Sequence, residues 1–229
     1  FLRSHRAEVR LSHPPNVALA AVAALGALAL AQPAAAQVYT SSQFAAPYVQ
    51  VTGGTPVAFG SNDDDSTLVQ LGFPFVWYGV TYTAVNVATN GFAVLAESCM
   101  TAVTCPNFGL CTGGACELGF ASTGAPGPFP DTEEPNSIIA PFWDDLYVQA
   151  GSQVLTAVEG SAPNRVFVIE WRNIGHYPSG TVGAANFQVR LAESGTVRMA
   201  WGSASGATTW DGNIGLENPD GTVGFAPNL

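Results

Sequence analysis

Apolar and polar residues alternate with a period of two along several short runs of this chain, and the clearest runs lie between Val166 and Trp201. Phe167, Ile169 and Trp171 fall on one face of an extended segment, with Val166, Val168, Glu170 and Arg172 on the other. In the next run Phe187, Val189 and Leu191 alternate with Asn186, Gln188 and Arg190. After a turn, Val197, Met199 and Trp201 alternate with Thr196, Arg198 and Ala200. Pairing Ala192 with Thr196 leaves the loop Glu193-Ser194-Gly195, whose glycine suits the left-handed position of a bulged hairpin. That register sets Phe187 against Trp201, Val189 against Met199 and Leu191 against Val197. It also sets Arg190 against Arg198, a like-charge pair costing on the order of a few tenths of a kcal/mol unless a carboxylate lies close. Glu170 is the expected carboxylate, in a solvated ionic cluster that fixes strand order; an anion-binding spot is the rival reading.

The same criteria predict strands over residues 48–52, 68–71, 73–77, 81–88, 92–96, 138–142 and 154–159, then 166–172, 185–192, 196–201, 213–216 and 222–225. No segment sustains helical periodicity over three turns. Pro74 removes a ladder donor, which suits an edge or bulged strand, while Asn90-Gly91 and Asp220-Gly221 are strong turn signals. Many short strands at near-regular spacing predict an all-β, antiparallel, jelly-roll-like sandwich.

Between residues 97 and 137 the alternation stops. Cys99, Cys105, Cys111 and Cys116 crowd into a Gly/Pro-rich stretch, followed by Pro126, Pro128, Pro130 and Pro135 with Asp131, Glu133 and Glu134. The spacings lack the C-x2-C knuckles of a zinc site, so two disulfides stapling an insertion are expected, with three connectivities open. Residues 1–36 read as an export leader: Arg3, Arg6 and Arg10, then an alanine-rich apolar stretch from Val17 to Ala31, then Ala34-Ala35-Ala36. The apolar stretch is short for a membrane span, so insertion after cleavage is not expected. Residues 37–229 form one domain, in what reads as a piece of a longer, multidomain chain.

Composition narrows the partners. The net charge is -10, and without the leader 4 Arg face 16 carboxylates with no Lys at all. A phosphate-binding surface has almost nothing to be built from, which argues against nucleic acid and anionic membranes. Carboxylate surplus suits a divalent cation, for which calcium is the candidate, with Asp63, Asp65, Asp144 and Asp145 as candidate ligands. The rival reading gives Asp144 and Asp145 turn-capping roles, with only one of the two approaching the core. A third makes one of them a catalytic acid or base with Glu170 or Glu217 as partner. His176 is the one histidine beyond the leader, and no G-x-S-x-G elbow or phosphate-cradling glycine loop is present. Among the tryptophans, Trp171 and Trp201 are expected inside; Trp210, beside Asp211-Gly212 in a turn, is the exposed candidate for contact with a ligand.

Several strings, taken in order, resemble the nidogen-like class of extracellular β modules and a related module of secreted bacterial proteins. They are Leu71-Gly-Phe-Pro-Phe-Val-Trp-Tyr-Gly79, Asn90-Gly-Phe92, Ile138-Ile-Ala-Pro-Phe-Trp-Asp-Asp-Leu146, Val166-Phe-Val-Ile-Glu-Trp171 with Asn173, Asn186-Phe-Gln-Val189 and Gly215-Leu-Glu-Asn-Pro-Asp-Gly221. The resemblance implies a secreted or cell-surface, non-catalytic interaction or adhesion module with an extracellular protein or glycan as partner. A carbohydrate-binding module is the runner-up, and a carboxylate-dependent glycoside hydrolase the third reading.

Overall fold

The alternation read from the sequence becomes pairing in the computed structural model, which describes residues 7–12, 39–45, 48–97, 110–112, 115–117, 128–133, 135–177, 183–206, 210 and 212–227. Among the described residues there are strands and turns and no helix. In chain order they begin with β1 (Ala7–Ser12), β2 (Thr40–Ala45), β3 (Thr55–Pro56), β4 (Ser66–Trp77), β5 (Val80–Ala88) and β6 (Ala93–Ala96). Next come β7 (Leu110–Thr112), β8 (Ala115–Glu117), β9 (Ile138–Trp143), β10 (Leu146–Tyr147) and β11 (Gln153–Glu159). The chain continues with β12 (Val166–His176), β13 (Gly183–Ala192), β14 (Val197–Gly206), β15 (Asn213–Glu217) and β16 (Gly224–Phe225).

Two antiparallel sheets face each other. The first runs β2-β1-β14-β13-β12-β11-β3, with β10 paired to the far end of β12; the second runs β16-β15-β9-β6-β5-β4. The hairpin register is the one expected: Phe187 opposite Trp201, Val189 opposite Met199, Leu191 opposite Val197 and Arg190 opposite Arg198. Gly195 has φ +84° and Ala192 N–H donates to the Thr196 carbonyl at 2.9 Å. Phe167, Ile169, Trp171, Phe187, Val189, Leu191, Val197 and Met199 of the first sheet share a buried cluster with Leu71, Phe73, Phe75, Trp77, Tyr82, Val85 and Ile139 of the second. The Trp171 and Phe187 rings stack at 5.3 Å, and the indole N–H of Trp171 crosses to the Ala88 carbonyl at 2.8 Å. Trp201 is half-buried and donates to the Pro141 carbonyl at 2.7 Å.

Four differences from the expected pattern have physical causes. Residues 68–71 and 73–77 form one strand, β4, whose register slips between Gln70 and Phe75; Pro74 sits at that irregularity on the sheet edge. Each sheet is largely a meander of consecutive hairpins rather than a jelly roll, because the short turns after β4, β5, β11 and β13 keep successive strands adjacent. The expected strand at residues 48–52 has no strand pairing and instead crosses the outer face of the first sheet as a strap. Its partners are side chains: Glu170 accepts from Val51 N–H, and Gln188 donates to the Val49 carbonyl. Finally, residues 7–12, inside the expected leader, form a strand between β14 and β2. The apolar stretch from Val17 to Ala31 and Ala34-Ala35-Ala36 lie outside the described residues.

The insertion returns over the outer face of the second sheet. Phe129, Phe92, Ile138 and Trp143 form a second buried cluster there, and Ala115 of β8 packs with Ala84 and Ala96. Cys99 and Cys105 lie outside the described residues; of Cys111 and Cys116 only the backbone is described, as register partners in the ribbon β7–β8. No described helix is long and apolar enough to cross a membrane.

Arg165 ties the two sheets together. Its guanidinium lies 5.0 Å from the centre of the Phe73 ring and donates to the Gly72 carbonyl, while Nε and Nη2 reach both oxygens of Glu193 at 2.9 and 2.5 Å. These bonds hold the Glu193 carboxyl at about 2, below the usual carboxylate range. A lowered folded-state value means that the contribution to stability is complete above the unfolded value and disappears as pH falls through about 2. NMR titration of Glu193 is expected to report that low midpoint and to show it rise towards the usual carboxylate range in Arg165→Met, in which the Arg165 backbone N–H still donates to Glu193.

Candidate functional site

Three turns meet at one end of the sandwich, and a buried asparagine joins them. Asn90, fully buried in the β5–β6 turn, donates from its amide to Asp64 Oδ1 at 2.9 Å and accepts from Leu146 N–H at 3.3 Å. Its carbonyl accepts from Asp144 N–H at 3.2 Å. Gly91 follows with φ +78°, and a Cβ there would lie 2.0 Å from the Phe142 carbonyl oxygen, so only glycine lets the turn sit this close to β9. The loop 61–65 is fastened to the same place by Val148 N–H donating to the Asn62 carbonyl and Thr89 N–H donating to that of Asp65.

This arrangement brings carboxylate oxygens of Asp63, Asp64 and Asp145 within 4.8 Å of one another. Asp64 has φ +51°, a left-handed conformation that aspartate tolerates better than most residues and that turns it towards the cluster. Burial raises the Asp63 carboxyl above its ordinary value, and the Asp64 and Asp145 charges add to the rise. Asp145 is raised in the same way, by burial first and then by Asp64. Asp63 Oδ1 is buried and has no hydrogen-bond partner in the structure. Hard oxygens crowded in this way match the donor preference of a calcium ion, which draws six to eight oxygen ligands.

The other expected residues divide among different tasks. Asp65 caps its own turn, accepting from Ser61 N–H at 2.7 Å and Ser66 N–H at 2.8 Å. Asp144 is buried, accepts from Asp145 N–H at 2.8 Å and faces His176 Nε2 at 3.3 Å, whereas Asp145 is half-exposed; one of the two approaches the core, as alternation requires. Sequence reasoning thus placed Asp63 and Asp145 in the group but missed Asp64 and Asn90. The Asn62 to Ser66 string was visible as oxygen-rich, and Asn90 was visible only as a turn residue.

Trp210 is half-buried rather than exposed. Its ring makes edge contacts with Phe142 at 5.9 Å and His176 at 5.8 Å, and its indole nitrogen is buried without an acceptor. Asp211 lies outside the described residues.

Glu170 corrects the expectation of a solvated cluster. It is completely buried on the outer face of β12 beneath the strap, accepting from the Tyr48 hydroxyl, from Val51 N–H at 3.0 Å and from Arg172 Nη2 at 2.6 Å. Burial and that bond push the Tyr48 phenol well above its ordinary range. The carboxylate beside Arg190 is Glu159. Glu217, also buried, accepts from Asp131 N–H at 2.9 Å, so a returning loop occupies it.

A family model described as NIDO related matches residues 38–228. The chain belongs to the nidogen-related family. The match takes in every strand from β2 to β16 and leaves out β1. Nidogen-related proteins are typically extracellular modules. No curated protein and no solved structure matches the chain. Within this nidogen-related module the acidic group is drawn from loop 61–65, which Asn90 of the Asn90-Gly-Phe92 string holds in place, and from Asp145 at the end of the β9 string.

Removing one charge from the group relieves repulsion that the folded state alone concentrates. Cation-free Asp63→Asn is therefore expected to melt roughly 1–3 °C above the parent at neutral pH, as read by calorimetry in the presence of a chelator.

Proposed function

We propose that this nidogen-related chain is a secreted or cell-surface interaction module without catalytic activity, stiffened by calcium at Asp63, Asp64 and Asp145. The observation that carries the calcium reading is the meeting of three carboxylates from two separate loops, one of them with a buried oxygen that lacks a partner. A cation there neutralises charges that otherwise repel, and it locks loop 61–65 to the turn after β9.

The non-catalytic reading is supported by how the other carboxylates are used. Glu170 is enclosed by Tyr48, Val51 and Arg172, and Glu217 is bonded to the loop at Asp131, so neither is open to a substrate. Export is supported by the leader pattern in residues 1–36 and by the family's usual compartment. The ribbon register that sets Cys111 opposite Cys116 supports a bridge between them in such a compartment. The partner class that fits is an extracellular protein or glycan met at the rim and outer faces, because the inner faces are consumed by the core.

A ligand bound only by the folded state raises stability by mass action. Calcium at 100 times its Kd is expected to raise the melting temperature by about 5–10 °C, with no response left in Asp145→Asn. The exported protein is further expected to be retained on extracellular-matrix preparations in calcium and released by chelator. Equal melting temperatures in calcium and chelator would remove the cation; polysaccharide turnover lost in Asp144→Asn would replace the module with a hydrolase.

A further inference from the structure

At the acidic rim the protein supplies only part of the oxygen shell that a calcium ion needs. Asp63, Asp64 and Asp145 offer one ligand atom each, all within 4.8 Å of one another, whereas calcium draws six to eight oxygens. Asp63 Oδ1 is shut off from solvent without a hydrogen-bond partner, a state that calls for a cation or a donor. Backbone carbonyls commonly help to complete such a shell, but those of the surrounding turns are engaged. The Asn62 carbonyl accepts from Val148 N–H at 2.9 Å and that of Asp65 from Thr89 N–H at 2.8 Å. The Asn90 carbonyl accepts from Asp144 N–H at 3.2 Å and that of Asp145 from Tyr177 N–H at 2.8 Å. All three aspartates are partly exposed, so an ion held by them keeps coordination positions open to solution.

We propose that calcium at this rim binds a neutral glycan directly. Two adjacent hydroxyls of one sugar fill open positions on the ion, and the Tyr177 ring packs on the apolar face of that sugar. The inference rests on the calcium reading and narrows the partner of that same site from protein or glycan to glycan.

Charge selects neutral hydroxyls over anionic groups. Three carboxylates against one dication leave the occupied site with a net negative charge, so an incoming carboxylate, sulfate or phosphate is repelled. The arginines beyond the leader are placed elsewhere. Arg165, Arg172 and Arg190 are paired with Glu193, Glu170 and Glu159, and Arg198 lies over the Phe44 ring at 5.5 Å. His176 turns Nε2 towards Asp144 at 3.3 Å. Tyr177 supplies the apolar part. Its main-chain bond to the Asp145 carbonyl sets it directly beside the ligands, and it is 41% exposed. Among the described residues Phe44 is the other exposed aromatic, and the Arg198 guanidinium covers it. A sugar presents C–H bonds on one face of its ring, and the electron-rich face of an aromatic side chain attracts them.

The test uses the exported protein and begins with europium in place of calcium. Luminescence lifetimes in H2O and D2O count the waters left on the ion; about two or more are expected, and none would overturn the open site. Retention on mannan, dextran and dextran sulfate beads is then compared in calcium and in EGTA. The expected result is calcium-dependent retention on at least one neutral polysaccharide, weaker retention on dextran sulfate, and release by the methyl glycoside of the retained sugar. At calcium concentrations that saturate the melting shift of each variant, Tyr177→Ala is expected to weaken retention roughly tenfold and Tyr177→Phe to keep it. Melting that ignores calcium removes the cation and this proposal with it. Calcium-dependent melting without retention on either neutral bead overturns the glycan alone and leaves the calcium reading standing. Retention strongest on dextran sulfate, or indifferent to Tyr177→Ala, does the same.

Discussion

A carboxylate withdrawn from water costs several kcal/mol unless donors replace its hydration, and Glu170 in this protein has no solvent exposure at all. It is tolerable because Tyr48, the Val51 amide and Arg172 converge on its two oxygens. Arg172 in turn donates to the Val51 carbonyl at 2.8 Å, so the ion pair and the strap backbone form one closed network. The strap passes from Tyr48, whose ring lies against the backbone of Gly202 in β14, to Gly54, which lies against Leu155 and Thr156 of β11. A single buried charge thereby fastens a segment across the β14-β13-β12-β11 part of the first sheet.

The segments on either side of the strap inherit that placement. Immediately after the strap, β3 closes the β11 edge, and Val57 N–H donates to the Val154 carbonyl. The next loop delivers Asp63 and Asp64 to Asp145. Before the strap, Tyr48 fixes one end of the segment that contains β2, and Tyr39 fixes the other by leaving the first sheet for the Trp77 and Tyr78 rings of the second. Burial pushes the Tyr39 phenol up to about 12, as expected for a ring lodged among aromatics. The acidic rim and β2 are thus positioned from opposite ends of the same clasp.

The parts of this fold that were legible in the sequence are those in which one residue's surroundings follow from its neighbours in the chain. The period of two in β12, β13 and β14 dictated which side chains face inward, and Gly195 fixed the hairpin register, so every pair from Phe187 and Trp201 to Leu191 and Val197 could be stated from the residues alone. The strap was illegible for the opposite reason. Tyr48, Val49 and Val51 look like a strand, and the group that makes them something else is 119 to 122 residues away. Burial of Glu170 could not be read from its own strand either, since outer-face positions are ordinarily wet. At the rim, composition revealed an oxygen-rich loop, but which aspartates converge depends on the positive φ of Asp64, a property that no spacing rule carries.

Replacing Glu170 with alanine and monitoring both global stability and amide exchange tests the clasp most directly. Unfolding stability is predicted to fall by about 3–5 kcal/mol, with the amides of Val51 and Val57 losing protection ahead of those in residues 187–191. A loss below about 1 kcal/mol with the Val51 amide as protected as before would show that the strap is held by something other than this buried charge.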